Sequence, residues 1–108
     1  MWEIEIYDKT TQNALEALPT SIKVHIYRIF ELLECFGNEV KEPHTKSLGN
    51  GLFEIRAKGQ EGIARVFFTY KKQKVIIVFH CFIKKSQKTP KNELQKARKI
   101  LSIIKEQK

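Results

Sequence analysis

The sequence has few of the residues and motifs that mark metal, nucleotide or membrane proteins. Its two cysteines, Cys35 and Cys81, stand in no CxxC or Cys/His spacing, so we interpret both as buried thiols. There is no HExxH motif, paired aspartate or glycine-rich phosphate loop, and GNG at residues 49–51 is typical of a turn. We therefore expect neither a metal nor another cofactor.

Long hydrophobic runs are absent as well. The longest wholly apolar stretch, Val75 to Phe79, is far too short to span a bilayer. The beginning of the chain, MWEIEIYDKT, carries acids where a secretory signal would carry basic residues. The sequence therefore predicts a cytoplasmic protein without a membrane association, and its 108 residues fit one domain, 1–108.

Charge is present in quantity and is unevenly distributed. Residues 1–50 hold five Lys and Arg against eight Asp and Glu, whereas residues 51–108 hold fifteen against four. The net charges of the two halves are −3 and +11, and they make up the total of +8. A surface this basic attracts phosphates, and an acidic partner segment would suit it too.

The first half reads as a strand followed by a helix hairpin. Trp2 to Tyr7 alternates apolar and polar residues, which predicts a half-buried strand. Thr10 or Thr11 is the predicted cap of a short helix that ends near Leu18. A second helix precedes Gly37, and its apolar residues recur at helical spacing: Ile22, Ile26, Ile29, Phe30, Leu33 and Phe36.

The second half reads as three strands and a last helix. Asn38 to Gly51 is rich in turn formers and is predicted as a loop. The strands predicted after it are joined by the short linkers KGQEG and KKQK, which favour an antiparallel meander: Leu52 to Ala57, Ile63 to Tyr70 and Val75 to Phe82. The last helix is predicted with Thr89 as its cap and Pro90 as its first residue. We expect an α+β fold with its helices on one face of the sheet.

Two arginines occupy strand positions where a charge is costly. Arg65 shares a strand face with Ile63 and Phe67, which indicates either a buried carboxylate partner or a pocket for an anion. The carboxylate would be Glu54 or Glu61. Arg56 lies on the preceding strand, and if its face is left uncovered, the two arginines can converge on one ligand. This hypothesis requires that both lie on one side of the sheet and that they are not both locked into internal carboxylate pairs.

Basic residues also gather after the last strand. Lys84, Lys85, Lys88 and Lys91 fall within eight residues, between the strand and the final helix, where loops commonly carry function. Neighbouring ammonium groups lower one another's pKa, which makes a lysine a better acid near neutral pH. Such a metal-free basic site suits RNA cleavage, because RNA carries its own nucleophile in the 2′-hydroxyl.

From residue 43 onward the chain resembles the RelE/ParE toxin superfamily, in its HigB-like, phage-type branch. The resemblance rests on the segments LGNGLFEIR, ARVFFTY and HCFIKKSQKTPKNELQKA. It implies a RelE-like fold and an mRNA interferase, the toxin of a toxin–antitoxin pair that cleaves mRNA on the ribosome. The implied partners are that mRNA and a helix-turn-helix antitoxin, with DNA contacted only through the antitoxin complex.

The resemblance also implies site residues. Arg65 is expected to hold the scissile phosphate and Arg56 to stabilise the phosphorane, with Lys85 or Lys88 as the acid. His80 is a further catalytic candidate. The residues expected to bind RNA are Lys58, Lys84 and Lys91.

The chain departs from RelE in one respect, because it has no tyrosine after Tyr70. The general base is therefore open, with His80, His44 and Glu42 as candidates. Two other functions stay open as well: a ParE-like inhibitor that binds DNA gyrase, and an RNA- or ribosome-binding module without catalysis.

Overall fold

The structure, a computed structural model, describes residues 1–84 and 90–107. Its elements in chain order are β1 (Glu3–Ile6), α1 (Lys9–Glu16), α2 (Thr20–Phe36), a 3-10 turn (Gly37–Glu39), β2 (Thr45–Gly49), β3 (Leu52–Gly59), β4 (Gly62–Lys71), β5 (Val75–Lys84) and α3 (Lys91–Glu106). The α+β fold is confirmed, and so is the antiparallel meander that the first strand joins.

The five strands form one sheet in the order β1-β5-β4-β3-β2. All neighbours are antiparallel except β1 and β5, which run parallel with Glu3 beside Val75. The segment before β3 was predicted as a loop, but it contains the strand β2, which the sequence analysis missed. β2 pairs with β3 only as far as Ile55, so the last part of β3 has no strand beside it on that edge.

The helix hairpin covers one face of the sheet. The side chain of Asp8, and not Thr10 or Thr11, caps α1 by accepting a hydrogen bond from the Thr11 backbone N–H at 2.9 Å. The buried residues of α2 recur at helical spacing and belong to one apolar cluster with residues of β3, β4 and β5: Ile22, Ile26, Ile29 and Leu33. At the end of α2, Phe36 is 53% exposed and Cys35 is also exposed, so their expected burial was wrong.

The third helix packs on the opposite face, which corrects the expectation that all helices share one face. Its buried residues, Ala97, Leu101 and Ile104, contact a second apolar cluster formed by Leu52, Phe67, Ile77 and Phe79. Burying one such large side chain contributes about 1.5–3 kcal/mol, which is enough to hold a helix rich in lysine against the sheet. Pro90 precedes the first helical residue, and Thr89 lies outside the described residues.

Gly37 allows the chain to turn closely past the first strand. Its φ is +54°, and a Cβ atom built on it would lie 2.0 Å from Cε2 of Trp2. The backbone N–H of Trp2 donates to the Glu34 carbonyl at 2.9 Å, and the Tyr70 hydroxyl donates to the Gly37 carbonyl at 3.3 Å. This junction ties the hairpin to the edge of the sheet. Within the part of the chain described, no helix has the length and apolarity needed to cross a membrane.

Candidate functional site

The sheet face under α3 carries the charged residues that the sequence singled out. Because paired residues of neighbouring strands point to the same face, side chains from β3, β4 and β5 form rows across it. Three rows follow from the register: Glu54, Phe67 and His80; Arg56, Arg65 and Phe82; Lys58, Ile63 and Lys84. Arg56 and Arg65 are therefore direct neighbours on one face, as the sequence predicted.

One carboxylate lies between the two arginines. Oε1 of Glu54 accepts a hydrogen bond from Nη1 of Arg65 at 3.0 Å and another from Nε of Arg56 at 3.2 Å. Glu54 and Arg65 are buried, whereas 41% of the Arg56 side chain is exposed. The expected alternative of an ion pair with Glu54 is thus present, and it involves both arginines. The condition that the arginines are not both paired with internal carboxylates is therefore not met, and the hypothesis of two free cations is wrong. Both arginines share the one carboxylate of Glu54, so its single negative charge faces two positive ones.

Lys84 adds a third cation beside this pair. It is only 4% exposed, which corrects the expectation of a surface contact to RNA. Burial is the largest cause that lowers the pKa of Lys84, and repulsion from Arg65 lowers it further, while Glu54 opposes both. Burial also lowers the pKa of Arg65, and Glu54 again opposes the shift. The cluster therefore holds its positive charge in a partly desolvated setting, where it acts strongly on a nearby anion.

A cavity opens at the edge of β3 where β2 has ended. We call it the strand-edge cavity. Its volume is about 370 Å³, and it is lined by His25, Pro43, His44, Arg56, Lys58, Ile63 and Arg65. These lining residues include three cations and two histidines but no acidic residue. The cavity therefore has the charge and the donor groups to hold an anion.

Two histidines accept hydrogen bonds from the edge of β3 at this cavity. The Arg56 N–H donates to the backbone carbonyl of His44 at 3.4 Å, and the Lys58 N–H donates to Nδ1 of His25 at 3.1 Å. His25 belongs to α2, so the helix hairpin contributes to a site that otherwise lies on the sheet. Nothing in the spacing of α2 distinguishes His25 from a solvent-facing residue, and the sequence analysis missed it.

The other two candidate bases lie elsewhere. His80 stacks on Phe67 with ring centroids 5.9 Å apart, and its Nε2 lies 3.0 Å from Oε1 of Glu93 at the start of α3. Glu42 lines a different depression, which it shares with Lys46 and Tyr70. Of the three predicted candidates, His44 alone lines the strand-edge cavity together with the arginines.

The remaining predicted residues are spread around the site. Lys58 is exposed and lines the strand-edge cavity, and Lys91 is exposed at the first position of α3. Lys85 and Lys88 lie outside the described residues. Among residues 1–84 and 90–107, no three His, Cys, Asp or Glu side chains form a group that could hold a metal ion.

Comparison with known proteins agrees with this architecture. The family model "Phage derived protein Gp49-like (DUF891)" matches residues 13–102. The chain belongs to the Gp49-like family. No curated protein matches the chain. Among solved structures, it is similar to a chain of the archaeal RelE–RelB complex from Pyrococcus horikoshii OT3, with 22% identity and a TM-score of 0.55. The match covers 76% of this chain and 93% of the other, so the predicted RelE-like fold is confirmed.

Proposed function

We propose that the chain is the toxin of a toxin–antitoxin pair and a metal-independent endoribonuclease that cleaves mRNA on the ribosome in the cytoplasm. The observation that carries the proposal is the strand-edge cavity, where Arg56 and Arg65 lie side by side with Lys58 and His44. An inhibitor that only binds gyrase has no need of converging cations around a cavity. The RelE-like fold and the Gp49-like family are consistent with this reading.

In this proposal Arg56 makes the direct contact with the scissile phosphate. Arg56 has the exposure that a ligand contact requires, whereas Arg65 is 2% exposed. We therefore exchange the roles expected from the sequence, and Arg65 acts through Glu54, which both arginines contact. Fixed cations at the phosphate stabilise the phosphorane, because its added negative charge develops next to them.

His44 is the proposed general base for the 2′-hydroxyl. It lines the same cavity as the arginines, and its described hydrogen bonds come from its backbone, which leaves the ring for chemistry. A histidine also has an ordinary pKa close to physiological pH, which suits proton transfer. The acid that protonates the leaving 5′-oxygen stays assigned to Lys85 or Lys88 by the resemblance, and Lys84 adds to the positive field.

The test compares two arginine variants that lose the same charge. Arg56→Ala is expected to lower mRNA cleavage about 100-fold or more, while Arg28→Ala, which alters an exposed arginine on α2, should leave cleavage unchanged. Cleavage is measured on programmed ribosomes by mapping new 5′ ends. Full activity of Arg56→Ala would refute the assigned role.

The wild-type protein decides among the three functions. New 5′ ends on translated mRNA support the nuclease. Changes in DNA supercoiling without such ends would indicate a gyrase inhibitor, and sedimentation with ribosomes without cleavage would indicate a binding module. His44→Gln should abolish cleavage without unfolding the protein, because the described hydrogen bonds of His44 are made by its backbone.

The proposed partner that silences the toxin is a helix-turn-helix antitoxin, through which the complex contacts DNA. The similar archaeal chain comes from a RelE–RelB complex, which supports an antitoxin partner. The excess of positive charge in residues 51–108 would favour an acidic antitoxin segment.

A further inference from the structure

One ring nitrogen of His25 is held against the backbone of β3. Nδ1 lies 3.1 Å from the backbone nitrogen of Lys58 and 3.2 Å from the backbone oxygen of the same residue. β2 no longer pairs with this part of β3, so we assign Nδ1 as the acceptor of the Lys58 N–H. In that tautomer the ring proton is on Nε2, which is then a hydrogen-bond donor.

With Nδ1 occupied by the Lys58 N–H, the Nε2–H group of His25 can donate to an anion in the strand-edge cavity. The neighbouring side chains of Lys58 and Arg56 make the cavity favourable for an anion such as a phosphate.

β3 fixes the distance between Arg56 and the pair formed by Lys58 and His25. Arg56 and Lys58 are two residues apart on β3, so their Cα atoms are separated by about 6.6 Å. Two neighbouring phosphates of an extended nucleic acid strand can match that spacing. If Arg56 contacts the scissile phosphate, the pair of Lys58 and His25 therefore faces the next phosphate along the strand.

We propose that His25 and Lys58 form a phosphate subsite for single-stranded RNA, in which Nε2–H of His25 donates to the phosphate beside the cleaved link. This inference rests on the proposed function for the direction of the RNA strand, but the contact itself can be measured without cleavage. The proposed role of His25 is to position the substrate.

The experiment uses a single-stranded oligoribonucleotide with 2′-O-methyl groups, which binds but cannot be cut. In protein labelled with ¹⁵N at histidine, titration with this oligonucleotide should shift the Nε2 resonance of His25. The Nε2 resonance of His80, which contacts Glu93 away from the cavity, serves as the internal control. Absence of a shift at His25 when the oligonucleotide is bound would overturn the subsite.

Two variants separate the contact from the fold. In His25→Asn, the side-chain oxygen can still accept the Lys58 N–H, but no donor replaces Nε2. Loss of a hydrogen bond to a charged phosphate should weaken oligonucleotide binding about tenfold or more. The melting temperature of the variant should stay unchanged. Lys58→Met should weaken binding and reduce its dependence on salt by about one phosphate contact. Wild-type binding by a folded His25→Asn would overturn the inference.

The outcomes distinguish the two proposals. If the wild type cleaves mRNA while His25→Asn binds and cleaves like it, the subsite is refuted and the nuclease stands. If the wild type does not cleave mRNA while His25 responds to the oligonucleotide, the nuclease is refuted and the phosphate contact stands.

Discussion

Replacing Glu54 with glutamine exchanges one carboxylate oxygen for an amide NH₂ group. It removes the negative charge that Arg56 and Arg65 share. The glutamine oxygen can still accept a hydrogen bond, so the change is mainly electrostatic. Glu54 and Arg65 are 1% and 2% exposed, and their contact is 3.0 Å long. Removing one charge of such a buried pair costs about 3–5 kcal/mol. The contact of the half-exposed Arg56 adds about 1 kcal/mol at most.

This loss is large for a domain of this size. A small domain has a free energy of unfolding of about 5–15 kcal/mol, so Glu54→Gln should lose about a fifth or more of it. At about 4–8 °C for each kcal/mol, the melting temperature should fall by roughly 12–40 °C. Thermal melting followed by circular dichroism, together with urea titration, measures both quantities.

Two further variants test the reasoning. Glu61→Gln alters an exposed carboxylate that accepts a long hydrogen bond from Ser21, at 3.4 Å, and should change stability by less than about 0.5 kcal/mol. Glu54→Met combined with Arg65→Met removes the pair as a whole and should recover most of the loss, because apolar replacements of a buried ion pair are often neutral. A loss below about 1 kcal/mol in Glu54→Gln would refute the electrostatic account.

Three other predictions follow from buried groups. Lys84→Met should lower mRNA cleavage about tenfold, and its stability relative to wild type should depend on pH, because a lysine whose pKa is lowered by burial destabilises the fold while it is charged. The destabilisation by the charged lysine is complete below the folded-state pKa and disappears as pH rises towards about 10.4. The stability of wild type should therefore rise relative to that of Lys84→Met in urea titrations at pH 10. Gly37→Ala should cost about 2–5 kcal/mol in urea unfolding, because its φ is positive and the new methyl group would meet Trp2. Burial raises the pKa of Cys81 to about 12, so a thiol reagent at pH 8 should modify only Cys35 in the native protein.

Each of these predictions has a matched comparison. For the lysine, equal urea midpoints for wild type and variant at pH 7 and pH 10, with full cleavage, would contradict the assigned cluster. Gly49→Ala is the control for the glycine, since φ of Gly49 is also positive but its Cβ would meet nothing within 4 Å. For the thiols, both cysteines should react once the protein is unfolded in urea, and two reactive thiols in the native state would be inconsistent with the buried position of Cys81.

The sequence predicted the features that depend on local periodicity. The order of helices and strands and the shared face of Arg56 and Arg65 followed from alternation and short linkers. The strand β2 was missed because its sequence, TKSLG, has no β-branched or aromatic run, and it forms through pairing with β3. An amphipathic pattern likewise indicates that α3 has an apolar side but not which sheet face that side covers.

The sequence predicted the charged residues of the candidate site but not their burial or their contacts. The sequence pointed to Arg56, Arg65 and Lys84, yet it could not indicate that Glu54 touches both arginines or that Lys84 is buried, because burial depends on elements far apart in sequence. His25 illustrates the same limit. It reaches the cavity from a helix, 33 residues before Lys58, and only tertiary structure brings the two together.

The parallel pairing of β1 with β5 also affects how the protein is made. Glu3 and its neighbour in the sheet, Val75, are far apart in the sequence. Because such a long-range pair forms late, a nascent chain cannot complete its sheet until β5 has emerged from the ribosome. Until then, β1 has no strand to pair with, and its backbone groups stay open to other partners.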